Sequence, residues 1–119
     1  MKTTKEVFDE FFEGKDRKKY DETEFELREV NPQMIKGITE TYKYPDILND
    51  RKTEKLKKKI EEFGGWDYDR SKAWTLQLYE LPNGDLVVNS CGNHRAVLSK
   101  EMGMTKINAR VKKIVLVDN

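Results

Sequence analysis

The chain has 119 residues, with 23 basic and 22 acidic side chains and a formal net charge of +1. That length fits one domain, and a near-neutral total argues against tight nonspecific nucleic-acid binding while leaving room for a local basic face. A single cysteine excludes an internal disulfide framework, and no apolar run reaches the roughly 18 residues of a membrane span, so a cytoplasmic protein without a membrane partner is expected.

The opening "MKTTKEVFDEFFEG" is too acidic for a secretory signal. It places Val7, Phe8, Phe11 and Phe12 on one helical face, with Thr3 or Thr4 as cap and Gly14 as the end. This helix is expected to pack on the main domain, with docking to a partner protein as the alternative. "EFELREV" alternates Phe25, Leu27 and Val30 against Glu26 and Arg28, which predicts a half-buried strand. In residues 31–50, Pro32, Gly37 and Pro45 interrupt any long element, so this segment reads as a loop with one helical turn.

"DRKTEKLKKKIEEFGG" is the clearest helix. Leu56, Ile60 and Phe63 recur at helical spacing, Asp50 can cap the start, and Gly64-Gly65 can close the end. "AWTLQLYEL" alternates Trp74, Leu76 and Leu78 against Thr75, Gln77 and Tyr79. The turn signal Pro82 to Asp85 and the apolar "LVVN" then complete a β-hairpin. A helix is expected from Arg95 to Met102, ended by Gly103, followed by a strand over "INARVKKIVLVD". The resulting order, α, β, α, β, β, α, β, is a small α+β or mixed α/β domain.

The only cysteine and the only histidine fall together in "NSCGNHRAVLSKEMG", at the junction of the hairpin strand and the following helix. A helix N-terminus offers about four unpaired N–H groups to an anion. Gly92 permits a sharp turn, Asn93 can cap or donate, and His94 and Arg95 add donors, so these four residues suit a phosphate. An ordinary helix cap with an exposed arginine remains the plain alternative. Cys91 and His94 supply two metal ligands where structural zinc takes four, so no metal site is expected. A thiolate at Cys91 would need the positive neighbours it has, but a small buried residue at the strand end is the favoured reading.

With "GNHRAVLSKEMGMTKINARV" in view, the chain resembles the ParB/sulfiredoxin superfamily over roughly residues 24–116. Gly92-Asn93-His94-Arg95 is similar to that family's Gly-x-His-Arg motif. "EFELREVNP" resembles its opening strand, and "NDR" with "TEKLKKKIEEFGG" its arginine and following helix. The resemblance implies a ParB/sulfiredoxin-like domain at 24–119, with 1–23 as a helical extension. It also implies a nucleoside triphosphate with Mg2+ held at Gly92, Asn93, His94 and Arg95, helped by Arg51 and Lys52. Lys52, Lys55 and Lys59 share one helical stripe, whose plain alternative is a solvated face.

The sulfiredoxin nucleophile position is Asn93 here, which argues against sulfinic-acid reduction. No room is left beside the domain for ParB's DNA-reading and dimerisation units, so a stand-alone domain is expected. Three functions follow. The first is nucleotide binding, with hydrolysis or phosphoryl transfer to a small molecule and Glu40 or Asp50 as base. The second is a ParB-like DNA-binding protein or nuclease. The third is a plasmid- or phage-borne interaction module docking through the N-terminal helix.

Overall fold

The structure, a computed structural model, describes residues 1–62 and 76–117. Phe63, the Gly64-Gly65 stop and Trp74 lie outside the described residues. The elements, in chain order, are β1 (Lys2–Thr3), α1 (Thr4–Phe12), β2 (Tyr20–Glu22), β3 (Glu26–Val30) and β4 (Ile35–Ile38). They continue with α2 (Arg51–Glu62), β5 (Gln77–Glu80), β6 (Leu86–Val88), α3 (Asn93–Glu101) and β7 (Ile107–Leu116). Helices combined with parallel and antiparallel pairing make this a small α+β domain.

Among the described residues seven strands form one sheet in the order β1-β4-β6-β5-β7-β2, with β3 also on β7. The hairpin β5–β6 is antiparallel, with Gly84 at φ 92 in its turn. β4 lies parallel to β6, and β5 parallel to β7. The long β7 carries β3 along its first half and β2 along its second, both antiparallel.

Both faces of this sheet are covered, which is why all three residues of β6 are buried. Leu86 and Val88 point to the larger core, which holds Leu78, Ala96, Val97, Ile107, Ala109 and Val111. Val87, on the other face, joins Val7, Leu81 and Ile114. α1 covers that second face. Thr3 caps it through a full capping box with Glu6, and Phe8, Phe11 and Phe12 lie half-buried against the small core. Residues 1–22 thus give α1 to a core and β1 and β2 to the sheet.

Several expectations change. Residues 31–50 hold a strand, β4, as well as short 3-10 turns at Pro32–Met34 and Asp46–Asn49. Leu27 is 37% exposed while Arg28 points toward Glu80, so β3 turns its Arg28 and Val30 face inward. Among the described residues β3 pairs only with β7, and such an edge strand can leave one face to water. α3 starts at Asn93, two residues before the expected start. Cys91 is exposed, correcting the buried reading: β6 ends at Val88, and Cys91 lies in the bend leading out of it.

Candidate phosphate-binding site

The site is built where α2 and α3 meet on the larger-core face. Gly92 takes φ 98 and ψ 19, a left-handed conformation that other residues adopt only with strain, and Ala96 N–H already bonds its carbonyl at 2.9 Å. The chain therefore turns from the end of β6 directly into α3. On the other side, Asp50 caps α2 by accepting the Thr53 N–H at 2.9 Å. The Thr53 hydroxyl donates inward to the Ile47 carbonyl at 2.6 Å, and Leu56 is buried beside it.

These two helix starts are joined by a contact between a carboxylate and an imidazole. His94 Nε2 lies 2.7 Å from Asp50 Oδ2, and the His94 side chain is 13% exposed. Burial alone would push the Asp50 carboxyl up. The Thr53 N–H and the His94 ring outweigh it and hold this group below the ordinary carboxylate range. Tyr42 packs edge-on against the His94 ring, with centroids 4.6 Å apart at 77°. Lys52 Nζ donates to the Tyr42 hydroxyl at 3.3 Å. Nothing in the sequence pairs Tyr42 with residue 94, because a loop aromatic has no periodicity to place it.

A cleft of about 250 Å³ opens between the helices, lined by Lys52, Lys55, Leu56, Lys59, Gly92, His94 and Arg95. Among the described residues no acidic side chain lines the cleft. Three lysines and an arginine around one concavity make a field that attracts anions. The groove between α1 and β2 is larger, about 370 Å³. Volume does not decide which hollow takes a phosphate; the sign of the lining charge does.

Of the expected site residues, the fold brings Gly92, His94, Arg95 and Lys52 together. Lys55 and Lys59, expected only as a stripe, join them. Arg51 is exposed and does not line the cleft. Asn93 is only 4% exposed, and its side chain faces inward to the loop after β4: Oδ1 accepts the Thr39 N–H and Nδ2 donates to the Thr39 hydroxyl, both at 2.9 Å. Its side chain thus braces the site from behind and makes no helix cap. Of the two candidate bases, Asp50 contacts His94 and Glu40 is exposed; neither lines the cleft. The described residues bring no three His, Cys, Asp or Glu side chains together in a way that could hold a metal ion. No described helix is long and apolar enough to cross a membrane.

Comparison with protein-family models, with curated proteins and with solved structures yields no match for this chain.

Proposed function

We propose that the chain binds the phosphates of a nucleotide in the cleft between α2 and α3. One observation carries this reading: Lys52, Lys55, Lys59, His94 and Arg95 come from two separate helices and line the same concavity. A solvated lysine face would have no reason to meet a second basic group across a cleft. Arg95 supplies a planar fork suited to two phosphate oxygens, and the lysines supply mobile point charges. The left-handed turn at Gly92 leaves the approach to the start of α3 clear of a Cβ.

The resemblance to the ParB/sulfiredoxin superfamily supports a nucleoside triphosphate as the ligand. In that reading magnesium would arrive bound to the nucleotide and would supply further charge neutralisation. The fit of the donor set is to the phosphate chain. Its chemistry is binding and charge neutralisation, by Lys52, Lys55, Lys59 and Arg95.

A thermal-shift screen of ATP, ADP, CTP and GTP with magnesium tests the proposal. At least one nucleotide raises the melting temperature of the wild type, and Arg95→Ala abolishes that rise. DNA is the second reading, favoured by the further exposed lysines Lys57 and Lys58 on α2. Oligonucleotides that bind with a steep dependence on salt, together with no nucleotide-dependent shift, would replace the first reading by the second.

A further inference from the structure

We propose that the groove between α1, β2 and β5 is a binding site for a small organic ammonium ion. It lies on the α1 face of the sheet, whereas the basic cleft lies on the α2 and α3 face, so it stands independently of the nucleotide reading. The groove has a volume of about 370 Å³ and an aromatic wall of Phe8, Phe12, Tyr20 and Tyr79. Phe8 meets Tyr79 edge-on at 5.4 Å, and Phe12 meets Tyr20 edge-on at 5.1 Å. The four rings line the hollow, and ring faces carry the negative part of the quadrupole.

The cluster already holds one cation. The Arg17 guanidinium carbon stands 4.9 Å over the Phe12 ring, while its Nη2 is 2.7 Å from Asp9 Oδ1. Asp9 thus matches the charge of Arg17. The other charged groups lining the groove, Asp21 and Glu22, are both carboxylates, and both residues are exposed at its rim. Glu22 forms a long ion pair with Lys112, at 3.7 Å, so Asp21 is the lining carboxylate that carries most of the surplus charge. Tyr79 has its hydroxyl held in the protonated form by burial and by the charge and hydrogen bond of Glu22.

Arg17 also lines the groove but is already engaged by Asp9, so an anion would meet Asp21 and Glu22, and a neutral apolar ligand would desolvate them without compensation. An alkylated ammonium satisfies both requirements at once: its methyl groups cover the rings, and its charge faces the carboxylates. Aromatic rings with nearby acidic groups are the general chemistry by which such ions are recognised.

The test uses the intact chain, labelled with 15N, and two probes of the same shape. Choline carries the charge; 3,3-dimethyl-1-butanol is its uncharged carbon counterpart. The expected result is that choline shifts the amide signals of residues 17–22 and 77–80 saturably, at concentrations at least about five-fold below those at which the neutral alcohol acts. The double substitution Asp21→Asn/Glu22→Gln, at exposed positions, weakens choline several-fold. Arg17→Ala strengthens it, because the resident cation that lines the groove and covers Phe12 is gone. Equal response to the two probes, unchanged choline affinity in the carboxylate variant, or weaker choline binding in Arg17→Ala would each overturn the proposal.

Discussion

At the residue scale, the motif Gly92-Asn93-His94-Arg95 divides its labour. Gly92 makes the turn, His94 and Arg95 line the cleft, and the Asn93 side chain points the opposite way, into the protein. Asn93→Ala removes both bonds to Thr39 and strands its partly buried N–H. This substitution is expected to cost about 1–3 kcal/mol of stability, read as a lower urea midpoint at unchanged slope. The sequence sets these four residues side by side but does not assign Asn93, because an asparagine at a helix start serves equally as cap, donor or buried brace. Cys91 was misplaced for a similar reason: a lone cysteine after a strand carries no sign of whether the ladder continues to it.

Asp50 connects the residue scale to the element scale, since the same carboxylate caps α2 and holds His94. Its folded value is below its unfolded one. The stabilisation it gives is therefore present above about pH 4 and is lost as pH falls through the lowered value. Asp50→Asn is expected to lower stability at neutral pH, with the gap to wild type closing below about pH 4 in denaturation curves taken across that range. A gap that stays constant with pH would contradict this assignment.

At the scale of elements, the helices, the hairpin and β7 were legible because each carries a period or a turn signal long enough to count. β2 and β4 were not. β2 has three residues, two of them acidic, and owes its strand form to the overhanging end of β7. In β4, Gly37 looks like a breaker in sequence, but it is a strand glycine at a close approach. A Cβ there would sit 3.0 Å from the backbone of Thr3 and Thr4, where β1 pairs with β4. Leu27 misled because the period-2 signal in "EFELREV" is written in the wrong phase for the burial that Arg28 and Val30 share. Only the sheet partner decides that phase.

The same packing makes α1 part of the structure. Deleting residues 1–22 removes Val7 and three phenylalanines from the smaller core and two strands from the sheet. The truncated chain is expected to lose its cooperative unfolding transition. A truncated chain that still melts cooperatively near the wild-type temperature would assign α1 to docking.

At the scale of the whole molecule, a formal charge of +1 conceals a segregated field. The cleft face gathers lysines from α2 with the start of α3, while the α1 face sets carboxylates against aromatic rings. Neither face is visible in the net charge, and neither could be assembled from sequence, because each joins residues far apart in the chain. The α2 stripe was readable by spacing, but its meeting with Arg95 depends on how α2 and α3 pack. That meeting is the basis of the phosphate proposal. The most direct test is a calorimetric titration of magnesium nucleotide into wild type, Lys55→Ala and Arg95→Ala, with folding checked by melting. The account predicts saturable binding to wild type, weaker binding to Lys55→Ala, and loss of at least about ten-fold in affinity for Arg95→Ala, in keeping with a charge-assisted phosphate contact. Equal affinity in all three proteins, or no binding to the wild type, would contradict it.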